Sequence, residues 1–313
     1  MQQEMKYVFT VYQEGSFSKA AQKLYITQPA LTISVQKVEA MIGFKLFDRS
    51  THPLKLTPAG ELYIQKYYEI KMLENELTCQ INELSDLKKG DILIGGTQYI
   101  LSYVLAPVLS AFAERFPNIN IHLIESSSDK LDGLLLSGSI DLCLKCDEIN
   151  PSLSAFSHAF REHLLLAVPK EYVTQFQLPD TGMSLRMIEE NLHLSPDCIC
   201  LEPHFLPKLP FLFLTSGTNL HERCMELFHQ NGLEPNIRMQ IQQNVTAYHL
   251  AGNGLGATLT SDITIKKNKD LNLVFYKIDS PLMVRDFFVI IRSRSYISKA
   301  ISEFIDILHS YYA

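Results

Sequence analysis

The sequence predicts an α/β chain in two unlike parts. An all-α-type front of winged helix-turn-helix form is joined by one long helix to a region of alternating strands and helices. Three observations carry this. The first 60 residues hold three short helical patterns in close succession, the stretch after Pro58 repeats apolar residues along a single seam, and from Asp91 strand and helix patterns alternate.

In the front, Met5, Val8, Phe9 and Tyr12 mark a first amphipathic helix that stops at Gly15. Ser18 is the expected N-cap of a short second helix, KAAQKLY, whose Ala20 and Ala21 let a neighbour approach closely. Thr27 as cap and Pro29 in the first turn open a third helix, TQPALTISVQKVE, which Gly43 ends. Helices joined this tightly must cross steeply. In the third, Leu31, Val35, Val38 and Ile42 form one apolar stripe, while Gln28, Pro29, Thr32, Ile33, Ser34, Gln36 and Lys37 make an unusual opposite face. FKLF and PLKLT, flanking the polar RSTHP, read as a two-stranded wing. Thr57 and Pro58 then open the long helix, whose seam of Tyr63, Tyr67, Ile70, Leu77, Ile81 and Leu84 runs toward Lys88-Lys89-Gly90. Pairing with a second copy buries such a seam; packing on its own later domain is the alternative.

From Asp91, DILIGG, a helix over Ile100–Phe116 with Leu105, Leu109 and Phe112 inward, NINIHLI, a helix over Lys130–Ser137 and IDLCLK predict βαβαβ with a parallel sheet. A second series follows through HLLLAV, FLFLT, the helix Leu220–Asn231 before Gly232, the alternating IRMQIQ, and GATLT. DFFVIIRS and the helix Ile297–Tyr312 rejoin the first series. The expected boundaries are 1–58 for the front, 59–90 for the linking helix and 91–313 for a two-lobed region. Its first lobe takes about 91–162 and 269–313, and its second about 163–268.

Composition narrows the functions. Of the net charge of −6, residues 1–60 contribute +3, from seven Lys or Arg against four Asp or Glu, so only the front is basic. Apolar runs such as Leu164–Val168 fall far short of the roughly 20 residues that span a bilayer, and no apolar leader follows Met1, so a cytoplasmic location without membrane contact is expected. Six cysteines are too sparse for a disulfide framework. Cys143 and Cys146 form C-x-x-C inside a strand pattern, where residues three apart face opposite ways, unlike a redox motif that opens a helix. Cys198, Cys200 and His204 lack a fourth ligand at any recognisable spacing, so neither metal nor cofactor is expected. The glycines of AGNGLG follow a helix and precede a strand, the reverse of a dinucleotide loop. Glu125, Asp141 and Asp262 have no acid-base spacing, so an enzyme is not expected. A ligand-binding protein that never touches DNA is the remaining rival.

FTVYQEGSFSKAAQKLYITQPALTISVQKVEAMIGFKLFDRS followed by LTPAG resembles the DNA-binding region of LysR-type transcriptional regulators, and FPNINIHLIES, GSIDLCL and AGNGLGATL resemble their effector-binding domain. The resemblance implies a dimerising linker helix and a two-lobed sensor similar to periplasmic solute-binding proteins. It implies sequence-specific binding of double-stranded promoter DNA, modulated by a small-molecule effector between the lobes, in a homo-oligomer that is a dimer or, commonly, a tetramer. RNA polymerase is a further partner open to such a regulator. It also gives the odd face of the third helix a purpose, entry into the major groove. Gln28 would read bases with Pro29 packed beside it, and Thr32 stands where the family usually has Ser. Ile33, where a polar or basic residue is usual, would meet a thymine methyl or fill an interface, and Gln36 shares this face. Ser18, Thr27 and Lys37 would hold phosphates, and Arg49 and His52 on the wing would touch the flanking backbone or minor groove.

For the effector, strand-to-helix junctions converge on the cleft: Thr97-Gln98 and Ser126 with Ser127 and Ser128 from one lobe, Thr215-Ser216-Gly217 and Asn244-Val245-Thr246 from the other. Ser and Thr there also serve simply as helix caps. Helix N-termini favour an anion, and the resemblance implies a carboxylated metabolite. Lys145 and Arg161 are the candidates to pair with it.

Overall fold

The computed structural model describes residues 2–50, 54–83, 90–146, 150–268, 272–293 and 296–312. The chain divides into two compact units, one of Met1–Leu84 with Leu136–Gly138 and a larger one of Ser85–Leu135 with Ser139–Ala313.

In the front unit, α1 (Gln2–Glu14) ends where Gly15 turns to φ +57°. Ser16, in extended backbone, then caps α2 (Phe17–Lys23) by accepting the Lys19 N–H at 3.5 Å. The cap is therefore Ser16 and not the expected Ser18, which lies inside the helix and exposed, because the turn at Gly15 starts α2 two residues early. Tyr25, at φ +55°, makes the turn into α3 (Gln28–Ile42), which Gly43 closes at φ +80°. Leu31, Val35 and Val38 are buried as the periodicity requires, but Ile42 is 39% exposed. The helix ends beside it, and Glu39 takes the inward place.

Glu39 is 3% exposed and fully engaged. It accepts the Leu46 N–H at 2.9 Å and the Lys45 ammonium at 3.0 Å, with Arg49 3.7 Å away. A buried carboxylate is tolerable only with such partners, and here it ties α3 to the base of the wing. That wing is β1 (Phe47–Asp48) antiparallel to β2 (Lys55–Leu56). Thr57 then starts α4 (Pro58–Glu83), its hydroxyl accepting the Gly60 N–H at 3.1 Å. Along α4 the seam divides. Tyr67 is buried beside Ile64, stacking on Phe9 at 4.5 Å, and Tyr63 and Ile70 are half-buried, whereas Leu77 and Ile81, like Leu73 outside the seam, are more than half exposed. The expected end of this helix at Leu84 to Lys89 lies outside the described residues.

The larger unit opens with β3 (Gly90–Gly96), parallel to β4 (Ile119–Glu125) and to β5 (Leu142–Lys145), as βαβαβ demands. The expected helix between β3 and β4 is not uniform. A π-helical segment, Ile100–Leu105, leads into α5 (Ala106–Arg115). Pro107 brings no N–H to the carbonyl four residues back, and the widened turn sits just upstream. α6 (Ser128–Leu136) joins β4 to β5.

HLLLAV is not a separate strand. It is the second half of β6 (Leu153–Pro169), whose first half lacks a clear alternation because bulges shift its register with β11. After α7 (Lys170–Gln175) and α8 (Leu185–Glu189) come β7 (Phe211–Leu214), α9 (Asn219–Gln230), β8 (Ile237–Ile241), α10 (Asn244–Gly252), β9 (Thr258–Ser261), α11 (Asp262–Lys267), β10 (Leu273–Tyr276), β11 (Val284–Arg292) and α12 (Lys299–Tyr312). Among the described residues β8 pairs only with β7, and Ile237 to Gln240 are all exposed, so the alternation read there is not one of burial.

Among the described residues the main sheet runs β10-β6-β11-β5-β3-β4, with β9 also on β6. β11 lies antiparallel between β5 and β6, so the chain's last strand does rejoin the first series. Each lobe has its own core. One gathers Val104, Phe112, Val289 and Phe304; the other gathers Leu166, Phe211, Phe228 and Tyr248. No helix among the described residues is long and apolar enough to cross a membrane.

Candidate DNA interface and effector cavity

On α3, burial of Leu31, Val35 and Val38 turns Gln28, Pro29, Ile33, Gln36 and Lys37 to the outside, with Thr32 half-buried. Thr27 is the N-cap by position, yet its side chain makes no capping bond, so the exposed hydroxyl is available to an outside acceptor. Ser34 is spent on the Ala30 carbonyl at 3.0 Å. Arg49 is less free than the sequence suggests: its guanidinium lies 4.8 Å from the centre of the Phe17 ring and near Glu39. His52 lies outside the described residues. The face is therefore a small, mostly polar projection on a rigid apolar base, the shape a groove-reading helix needs.

In the larger unit a cavity of about 330 Å³ lies between the lobes. Thr97, Gln98, Ser127 and Ser128 line it as expected, with Ser126. From the other lobe the expected Gly217 and Asn244 line it, joined by Thr218, Asn219, Gln242 and Gln243, whereas Thr215, Ser216, Val245 and Thr246 do not. The physical reason is where the helices begin. Thr218, not Thr215 or Ser216, caps α9, accepting the His221 N–H at 3.3 Å, so the junction nearest the cavity lies two or three residues later. At α10 it is Gln243 that stands as cap, moving the lining back before Val245. Asn244 is held by the Leu259 carbonyl and Thr260.

The cations are also rearranged. Lys145 lines the cavity, paired with Asp132 at 2.7 Å. Arg161 does not; it is exposed and bonded to Asp286. Its place is taken by Arg285, which sequence reasoning missed. The alternation of β11 carried a signal, since Arg285 shares the buried side with Phe287 and Val289. Its Nε donates to Glu162 at 2.6 Å and its NH1 reaches Asn219 at 3.3 Å. Glu162 also accepts the Tyr99 hydroxyl, which meets Ser261 at 3.0 Å. Burial, together with Glu162, pushes the Tyr99 phenol well above its usual range, so it remains a donor. Burial likewise lifts the Glu162 carboxyl, against the pull of Arg285.

Cys143 is buried in β5 and its thiol is pushed up to about 12 by burial, which leaves little thiolate. Cys198 donates to the Met183 sulfur at 3.6 Å, and His204 turns to Glu202 at 3.0 Å.

Residues 2–61 match the family model "Bacterial regulatory helix-turn-helix protein, lysR family", and residues 85–313 match "LysR substrate binding domain". The chain belongs to the LysR family. This LysR-family chain is a DNA-binding transcriptional regulator with an effector-binding domain; such regulators bind promoter DNA and small-molecule effectors, oligomerise, and are not enzymes. It is 28% identical over 305 residues to the uncharacterized HTH-type transcriptional regulator YcgK of Bacillus subtilis (strain 168), covering 97% of this chain and 92% of that one. It is 29% identical over 296 residues to a probable RuBisCO transcriptional regulator of Cyanidioschyzon merolae, covering 92% and 90%. Among solved structures, full-length CbnR complexed with its target DNA is similar in fold at a TM-score of 0.64 and 19% identity, covering 99% of both chains. A full-length OxyR variant from Pseudomonas aeruginosa gives 0.68 and 18%, covering 98% and 94%.

Proposed function

We propose that this regulator reads its operator with the start of α3 and answers to a small anionic effector held between its lobes. The observation that carries the DNA reading is the outward set Thr27, Gln28, Pro29, Thr32, Ile33, Gln36 and Lys37 on a helix whose other side is sealed by Leu31, Val35 and Val38. Gln28 reads a base edge, Thr27, Ser18 and Lys37 hold phosphates, and Arg49 and His52 flank them. The unit of 1–58 binds DNA, 59–90 links and pairs copies, and 91–313 senses, with lobes at about 91–162 with 269–313 and 163–268. Exposed Leu73, Leu77 and Ile81 support pairing through α4, as a dimer or as a tetramer built from it. The regulator works in the cytoplasm, where RNA polymerase is a further partner.

Fluorescence anisotropy on operator and on random DNA tests the reader. Gln28→Ala is expected to cost about 1–3 kcal/mol on the operator and little on random sequence. An equal loss on both assigns Gln28 to the backbone and refutes base reading.

For the effector, the amino terminus of α6 at Ser128, the Thr97 hydroxyl, and the cations Lys145 and Arg285 support an anion. Both cations already have carboxylate partners, so neutral donors take most of the task. Gln98 adds a buried Oε1 with no hydrogen-bond partner among the described residues, which suits an effector that also carries a donor. A panel of small carboxylates is expected to include one that raises the melting temperature. Gln98→Met should then weaken that compound by about 0.5–1.5 kcal/mol without lowering the melting temperature of the free protein. A panel with no active member sinks the anionic reading, and an undiminished response in Gln98→Met removes Gln98 from the site.

A further inference from the structure

We propose that His163, His193 and Asp262 form a binding site for a divalent transition-metal ion of the zinc class, separate from the effector cavity. Each offers one ligand atom, and these atoms all lie within 4.8 Å of one another. His193 Nε2 stands 3.2 Å from Asp262 Oδ2, a separation that suits two ligands on one small ion bound at about 2.0–2.2 Å from each. Two imidazoles and a carboxylate are the donor set that such ions share.

The site is built from three separate elements. His163 comes from the middle of β6, Asp262 from the start of α11, and His193 from the helical turn Leu192–Leu194. Asp262 Oδ1 is anchored by the His163 N–H at 3.1 Å and the Ile263 N–H at 3.0 Å, which leaves Oδ2 for the ligand role. This is the outer-shell support that orients a ligating carboxylate. The His193 side chain is fully buried, and its Nδ1 meets no hydrogen-bond partner among the described residues. With the ring proton on Nδ1 the Nε2 lone pair faces the ion, at the cost of a buried Nδ1–H with no acceptor among the described residues. His163 is half-buried, so solvent can reach the site and a water can complete the coordination.

Opposing this is Lys266, whose ammonium lies 3.6 Å from Asp262 Oδ2. It also reaches Asn191 at 2.8 Å and is 30% exposed, so it can turn to solvent when a cation enters. Arg161 and Lys277 act on His163 in the same repulsive sense.

The test is a Co²⁺ titration of the reduced, chelator-treated full-length protein, followed by Zn²⁺ displacement. One equivalent is expected, with a visible ligand-field spectrum and none of the sulfur-to-cobalt charge transfer that cysteine ligation gives. His163→Gln, at a half-buried position that should still fold, is expected to weaken binding by more than about tenfold, the range seen even for outer-shell losses. Lys266→Ala is expected to tighten it. No stoichiometric binding, a thiolate spectrum, or an affinity unmoved in His163→Gln overturns the site; so does a Lys266→Ala variant that binds no better.

Discussion

Glu162→Ala is expected to destabilise the larger unit by about 3–5 kcal/mol, read as a lowered midpoint of its denaturant unfolding transition. The cost follows from what remains. Arg285 is 8% exposed and spends its strongest contacts on Glu162, so truncating the carboxylate leaves a buried guanidinium with the Asn219 side chain and the Phe287 ring but no carboxylate beside it. Tyr99 loses an acceptor in the same step. The double variant Glu162→Met with Arg285→Met removes both charges and should recover most of the loss, since a buried ion pair can be exchanged for apolar volume at little net cost. A double variant as unstable as Glu162→Ala would show that packing, not the unpaired charge, sets the penalty.

Leu31→Ala is expected to cost about 2–5 kcal/mol, because the side chain is fully buried in the core it shares with Val8, Ala20, Val35 and Leu46. So small a unit has little stability to spare. Binding to operator and to random DNA should fall together, unlike the selective loss at Gln28, with a lower melting temperature for the front unit. Full operator affinity in a Leu31→Ala protein at 37 °C would mean that α3 is held by contacts other than this core.

Much of the fold was legible because its signals are local. The steps between Leu31, Val35 and Val38, the glycines at 15 and 43, and the strand-helix alternation after Asp91 each depend on neighbours in sequence, and they located α1, α3, α4 and the parallel strands. Some failures were local. Ser18 lost the cap to Ser16 through a turn one residue earlier, and Ile42 lay exposed where α3 ends and Glu39 turns inward to Lys45, Leu46 and Arg49. In the cavity, Thr97, Gln98, Ser127 and Ser128 were readable from strand ends. Arg285, Glu162 and Tyr99 were not, since residues 63 and 123 apart in sequence meet only after β6 and β11 pair. Thr215 and Ser216 were displaced by an offset of two or three residues, which is the ordinary uncertainty of a helix boundary.

The 17-residue strand Leu153–Pro169 has a mechanical corollary. It is stitched to β11 along its first part and to β9 and β10 along its second, so one unbroken ribbon belongs to both halves of the sensor. A ribbon common to both halves makes the changeover at Glu162 and His163, where one set of seams gives way to the other, a place where motion of one half against the other is taken up.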